Sequence, residues 1–163
     1  MDMSIKSEEV SFEKDNLKET LEKMDANVSY DVQTLIYYPY LFYEFLVENG
    51  SFINRTGQRA GCTIDGMNQL GALIDRIPQF IDAKIKRKYI MEKNINNKTA
   101  LHAAERFIVE SISSRMKVLK MPQLELVKQE EFYRPYWVVK GQKSAGSHFY
   151  ITVDAVTGKY HPL

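Results

Sequence analysis

A short pattern that occurs twice constrains this chain more than any other feature. Tyr37-Tyr38-Pro39-Tyr40-Leu41-Phe42 and Tyr133-Arg134-Pro135-Tyr136-Trp137-Val138 share the signature Tyr-x-Pro-Tyr-apolar-apolar. Downstream of each, Thr63-Ile64-Asp65-Gly66-Met67-Asn68 is echoed by Thr152-Val153-Asp154-Ala155-Val156-Thr157. Repetition of this kind indicates one supersecondary unit used twice, and a unit that cannot bury both faces of its own elements must pack against its copy. A chain of 163 residues has room for two such units and a shared core without needing a disulfide.

The elements around the repeat follow from spacing. Leu17, Leu21 and Met24, with Phe12 ahead of them, mark one stripe of a short amphipathic helix over Phe12 to Asp25. Tyr30 to Val47 is crowded with aromatic and β-branched residues and reads as a strand, or as two strands bent at Pro39. A helix over Leu35 to Val47 is the rival, with Pro39 in its first turn. Asn49-Gly50-Ser51 signals a turn, and Phe52, Ile53, Gly57 and Gly61 belong to a loop that returns as a strand through Cys62, Thr63 and Ile64. Asp65 to Leu73 is turn chemistry with a short apolar tail. Ile77, Phe80, Ile81, Ile85 and Tyr89 recur at three and four, the spacing of a basic helix reaching Asn94. Leu101, Ala104, Phe107, Ile108, Ile112, Arg115 and Met116 mark a second, longer helix from about Thr99, which Pro122 closes. Beyond it, LELV, YRPYWVVKG and HFYITVD alternate as a three-strand antiparallel meander, with Lys159 to Leu163 as a fourth edge.

Asp65 and Asp154 read as turn residues. An aspartate closing a strand accepts hydrogen bonds from backbone N–H groups two residues on, and Gly158 supplies the positive φ of a tight reversal. The segment from Thr99 onward, a helix followed by strands that end in Val153-Asp154-x-x-Thr157-Gly158-Lys159, resembles a PepSY-type domain. The first half is similar only as a degenerate copy, with Asn68 and Gln69 in place of Thr-Gly. The resemblance implies a helix-plus-meander fold and a role in inhibiting or regulating peptidases, in modules that are usually secreted or membrane-attached.

Composition narrows the classes. Hydrophobic residues make up 44% and charged residues 26%, so apolar burial can outweigh chain entropy and neither disorder nor a fibrous repeat fits. Lys and Arg number 22 against 21 Asp and Glu, a formal charge of +1 that excludes a polyanion binder by bulk electrostatics. The one cysteine, Cys62, excludes a disulfide framework and a cysteine-rich zinc site. Met1 to Ser29 is acidic and broken by charge every few positions, unlike a signal peptide or a membrane span, which points to the cytoplasm of a bacterium.

Few residues offer chemistry. Cys62 with His102, His148 or His161 would need convergence that nothing in the spacing supplies, and a buried hydrophobe is the plainer reading of the cysteine. His148, His161 and Asp154 lack the ligand spacing of a metal site. No catalytic residue, metal or cofactor is therefore assigned. Lys84, Lys86, Arg87 and Lys88 form a basic face on the expected helix over 82–93, able to meet phosphates or simply to be solvated. Tyr38, Tyr40, Tyr43, Tyr136 and Trp137 are the candidate partner-binding set, because alternation on a strand sends one set of aromatics into the core and the other to the sheet's outer face.

The expected architecture is α+β: two related helix-plus-antiparallel-β-meander halves, PepSY- or cystatin-like, packed as one unit. Residues 1–75 form the degenerate half, 76–98 a connecting basic helix, and 99–163 the PepSY-like half. The expected function is a non-enzymatic binding or regulatory module that engages a protein or peptide through its aromatic sheet face or a strand edge. Homodimerisation through that edge is a variant, and nucleic-acid binding through the basic helix is the alternative.

Overall fold

A computed structural model of the chain describes residues 1–48, 58–115 and 122–163. The turn expected at Asn49-Gly50-Ser51, the loop residues Phe52, Ile53 and Gly57, and the helix position Met116 lie outside the described residues. Among the described residues, eight strands and two α-helices follow in the order β1 (Asp2–Ser7), α1 (Lys14–Met24), β2 (Val28–Glu48), β3 (Gln58–Asp65), β4 (Gly71–Ile74), β5 (Ile81–Lys86), α2 (Asn97–Arg115), β6 (Gln123–Lys143), β7 (His148–Asp154) and β8 (Tyr160–Pro162). The strands pair as one mixed sheet in the order β4-β3-β2-β6-β1-β5, with β7 on β6 and β8 on β7. Ser7 pairs in parallel with Tyr133, and Tyr37 makes a parallel bridge to Ile90.

This corrects the expected fold class. The protein is mostly β around a single sheet, rather than two related helix-plus-meander halves. The physical reason lies in β2 and β6, which each run unbroken for 21 residues through Pro39 and Pro135. A proline gives the ladder no N–H, but its carbonyl still accepts. The Pro39 carbonyl takes the N–H of Gly66 at 2.9 Å, and the Pro135 carbonyl takes that of Ala155 at 3.0 Å. The strand therefore continues past each proline, the helical rival over Leu35 to Val47 is excluded, and LELV and YRPYWVVKG merge into one strand. The chain divides into two compact units, each built from both sequence halves: residues 1–38, 79–91 and 133–163, and residues 39–78 and 92–132.

The first unit has a core in which Leu17 and Leu21 of α1 pack against Val32, Val139, Ile151 and Val153, flanked by Tyr30, Trp137 and Phe149. Met24, at the end of the helix, is 57% exposed and takes no part. Arg134 on β6 reaches two buried carboxylates, with Nη2 3.1 Å from Glu8 and Nη1 3.1 Å from Asp154. In the second unit, Ala100, Ala103, Ala104 and Ile108 of α2 cover Leu41, Tyr43, Phe45 and Val47 of β2 with Cys62 and Ile64 of β3. Alanines on the contact face bring the helix close to the aromatic strand.

The two aspartate turns match bond for bond. Asp65 Oδ1 accepts the N–H groups of Met67 and Asn68 at 2.8 and 3.2 Å, and Asp154 Oδ1 accepts those of Val156 and Thr157 at 2.8 and 3.2 Å. The N–H groups of Gln69 and Gly158 close the turns onto Asp65 and Asp154, with φ of 65° and 79°. Gln69 thus adopts a conformation that costs a side chain more than it costs glycine.

A second correction concerns 76–98, and with it the helix over 82–93. This stretch holds β5 and a single 3-10 turn at Arg87–Tyr89, not a basic helix. Ile81, Ala83 and Ile85 alternate along β5 and stand opposite Ser7, Ile5 and Met3 of β1. The partner strand satisfies the backbone groups that a helix would have paired internally.

Candidate functional site

The candidate aromatic residues divide by burial. Tyr43 is 1% exposed, stacked beside Phe45 under α2, so it belongs to the core and presents nothing to a partner. Trp137 is half-buried against α1 and donates its Nε1–H to the Phe12 carbonyl at 2.8 Å. Tyr38 meets Tyr136 edge to face at 6.0 Å, and Tyr40 stacks on Phe132 at 5.6 Å; all three tyrosines are half-buried. The aromatics spend much of their area on one another, in the offset and edge geometries their quadrupoles favour.

Lys84, Lys86, Arg87 and Lys88 are exposed, the first two on β5 and the others in the 3-10 turn. Cross-strand register sets Lys86 opposite Asp2 and Asp82 opposite Lys6, while Ser4 faces Lys84. Opposite charges facing across a ladder offset each other, so this surface is a mixed, solvated face rather than a uniform basic one.

Cys62 is fully buried, and burial pushes its thiol up to about 12, which leaves no thiolate to act as a nucleophile at neutral pH. His102, His148 and His161 are exposed. Among the described residues no group of three His, Cys, Asp or Glu gathers as a metal ion would require, and no helix is long and apolar enough to cross a membrane. A cavity of about 160 Å³ opens beside Leu41 and Tyr43, lined also by Asn97, Gln129, Glu130 and Glu131. Lys93 spans its rim by bonding Asn97 and Glu131. That volume falls below the range of about 300–1,000 Å³ usual for small-molecule sites.

The strand edges offer more. Among the described residues β4, β5 and β8 each have one strand neighbour. An edge is ordinarily blunted by lysine, proline or inward charge. β5 carries Asp82, Lys84 and Lys86, and β8 ends in Pro162. β4 carries no such device: Gly71-Ala72-Leu73-Ile74, with Leu70 just ahead of it, holds neither charge nor proline. Leu70 is 68% exposed, Leu73 38%, and Ile77 just beyond the strand 48%. Leu126 and Val127 on β6 are exposed too, but stand between Glu125 and Lys128.

The register of β4 defines what its edge presents. Asp65 donates its N–H to the Leu70 carbonyl at 2.9 Å, and Thr63 and Gly61 face Ala72 and Ile74. Antiparallel pairs alternate between bonded and non-bonded, so Ala72 and Ile74 turn their main-chain groups toward β3, as the Leu70 carbonyl does while its N–H goes to Asn68 Oδ1, whereas Gly71 and Leu73 turn theirs to the edge. The side chains alternate as well: Leu70, Ala72 and Ile74 share one face, and Leu73 lies on the other beside α2. In the sequence this strand reads as the apolar tail of a turn. The available signal was its five-residue uncharged run directly after Asn68-Gln69.

Comparison with known proteins gives no match to a family model, to a curated protein or to a solved structure.

Proposed function

We propose that this protein is a non-enzymatic binding module of the cytoplasm that engages a protein or peptide by strand addition at β4. The observation that carries the reading is the contrast among edges: β5 and β8 bear charge or proline, and β4 offers outward main-chain groups at Gly71 and Leu73 between exposed leucines. Added strands gain affinity from main-chain hydrogen bonds and selectivity from alternate side chains. The occupant is therefore an extended, proline-free segment with apolar residues at alternate positions. The half-buried state of Tyr38, Tyr40 and Tyr136 favours the edge over the aromatic face as the contact. The resemblance of the C-terminal half to PepSY-type modules supports a regulatory partner.

The test is a titration of isotope-labelled protein with uncharged alternating peptides. Backbone resonances of Gly71 and Leu73 shift on binding if the reading holds. Shifts confined to β5, β8 or the Tyr38–Tyr136 pair contradict it.

A further inference from the structure

We infer that the cavity beside Tyr43 is a binding site for a guanidinium group, carried by a small free guanidine or by an arginine side chain of a peptide, which enters in place of Lys93. Its lining comes from β2, β6 and the start of α2, all within the second unit, and owes nothing to the β4 edge.

Tyr43 is the residue that marks the site. As an aromatic surface it offers a partner nothing, being 1% exposed, yet its hydroxyl makes no hydrogen bond with any described residue. A sealed oxygen in that state would be an orphan costing about 1–3 kcal/mol, and among the described residues no buried side-chain oxygen or nitrogen is orphaned. The hydroxyl therefore meets open space, and the space that Tyr43 lines is this cavity. Burial first, then the neighbouring Cys62 and Glu131, raise the pKa of that hydroxyl. At neutral pH it is thus an uncharged donor and acceptor beside a carboxylate of the same lining.

The rest of the lining is rich in acceptors. Glu130 and Glu131 bring carboxylates, and Asn97 and Gln129 bring amide oxygens. The fold already places a cation among them, since Lys93 Nζ donates to Asn97 Oδ1 and to Glu131 Oε1 at the rim. Asn97 opens α2, and the start of a helix repels positive charge, so it is Glu131 that draws the ammonium there. Lys93 spends its bonds at the rim and leaves the Tyr43 hydroxyl unanswered. An ammonium has three donors around one point, whereas a guanidinium has five in a planar fork that meets a carboxylate in pairs. In place of Lys93, a guanidinium reaches both oxygens of Glu131 and still donates to Tyr43 and an amide oxygen. The size agrees: about 160 Å³ is too little for a drug-sized ligand, but a cavity of about 150 Å³ takes up benzene, and methylguanidinium is smaller.

Titration of the full chain with methylguanidinium at constant ionic strength, followed through the side-chain amide signals of Asn97 and Gln129, tests the site. Both signals move, with a Kd on the order of 1 mM, as a few hydrogen bonds to one small group allow. Lys93→Met frees Glu131 and tightens binding about two- to fivefold, the worth of an exposed ion pair. That gain requires no variant that disturbs the core. Tyr43→Phe, which keeps the ring, weakens binding about fivefold, the worth of one hydrogen bond. Methylammonium binds less tightly, because it lacks the donors to reach Tyr43. A capped arginine peptide separates the two sources: binding tighter than that of methylguanidinium assigns the site to a side chain, and weaker binding assigns it to a free guanidine. Still signals well above millimolar methylguanidinium overturn the assignment, as does binding that neither Lys93→Met nor Tyr43→Phe alters, or methylammonium that binds as well as methylguanidinium.

Discussion

The Phe107 ring of α2 lies directly over Gly71 of β4. A Cβ built on Gly71 would come within 2.6 Å of Cγ and Cδ2 of that ring. The absence of a side chain is what allows α2 and the edge strand to touch, and this contact holds β4 in place for pairing. Gly71→Ala forces the ring aside and costs about 1–3 kcal/mol, the range for overpacking a core. Thermal unfolding measures it, and adding Phe107→Leu to the same chain recovers part of the loss. Equal stability of Gly71→Ala and the natural chain would show that the ring gives way freely.

Arg134 supplies the second prediction. Its guanidinium answers the carboxylates of Glu8 and Asp154, both buried, and linked to it at 3.1 Å. Burial alone would lower the Arg134 pKa, but Glu8 and then Asp154 more than reverse that, and the net direction is upward. Arg134→Met keeps the length of the side chain and strands two negative groups. It destabilises the chain by about 3 kcal/mol, the lower end for breaking a buried pair because Arg134 keeps some contact with water. Adding Glu8→Gln to Arg134→Met restores part of that loss in a urea titration.

Alkaline pH weakens the second unit in a defined window. Burial pushes the Cys62 thiol from 9.0 to about 12, and burial, with Cys62 and Glu131 nearby, pushes the Tyr43 hydroxyl from 10.0 to about 12. Unfolded, both groups ionise at their ordinary values, so the folded state binds more protons between those values and 12. Their contribution is therefore complete below pH 9.0 and lost as pH rises toward 12. The variant Cys62→Ala with Tyr43→Phe shows a flatter fall of the urea midpoint over that range. Parallel curves for the two chains would remove these groups as the cause.

Nucleic acid is predicted to bind no more than weakly. The lysines of β5 face Asp2 and Ser4 across the ladder, and Asp82 precedes them on the strand. Fluorescence anisotropy with single-stranded and duplex oligonucleotides at low ionic strength is expected to show little change. Tight binding with a steep salt dependence, lost on Lys84→Glu with Lys86→Glu, would restore the basic patch as a site.

The parts of the fold that were legible are those whose signal is local. The aromatic and β-branched run around Tyr40 reads as strand because the preference is in the residues themselves, and α2 reads as a helix from Leu101, Ala104 and Ile108. β5 was not legible, since Ile77, Phe80, Ile81, Ile85 and Tyr89 satisfy helical spacing as readily as Ile81, Ala83 and Ile85 satisfy alternation. The deciding partner, β1, lies far away in sequence and carries its own weak pattern in Met3 and Ile5. The merging of strands through Pro39 and Pro135 was hidden for a related reason: it depends on carbonyl acceptors whose donors, Gly66 and Ala155, come from the following turns. As for the site, the aromatics were conspicuous in sequence, but only packing separates Tyr43 in the core from Tyr40 on its partner ring. The β4 edge was legible only as an uncharged run, since edge status belongs to the sheet order and not to the residues.

Amide hydrogen exchange at Gly71 and Leu73, measured across protein concentration and with an alternating apolar peptide, shows whether β4 is the edge that takes an added strand. These two amides slow as the edge is occupied, while exchange along β5 and β8 stays unchanged. Fast exchange at both under every condition, or protection that appears at another edge instead, would contradict it.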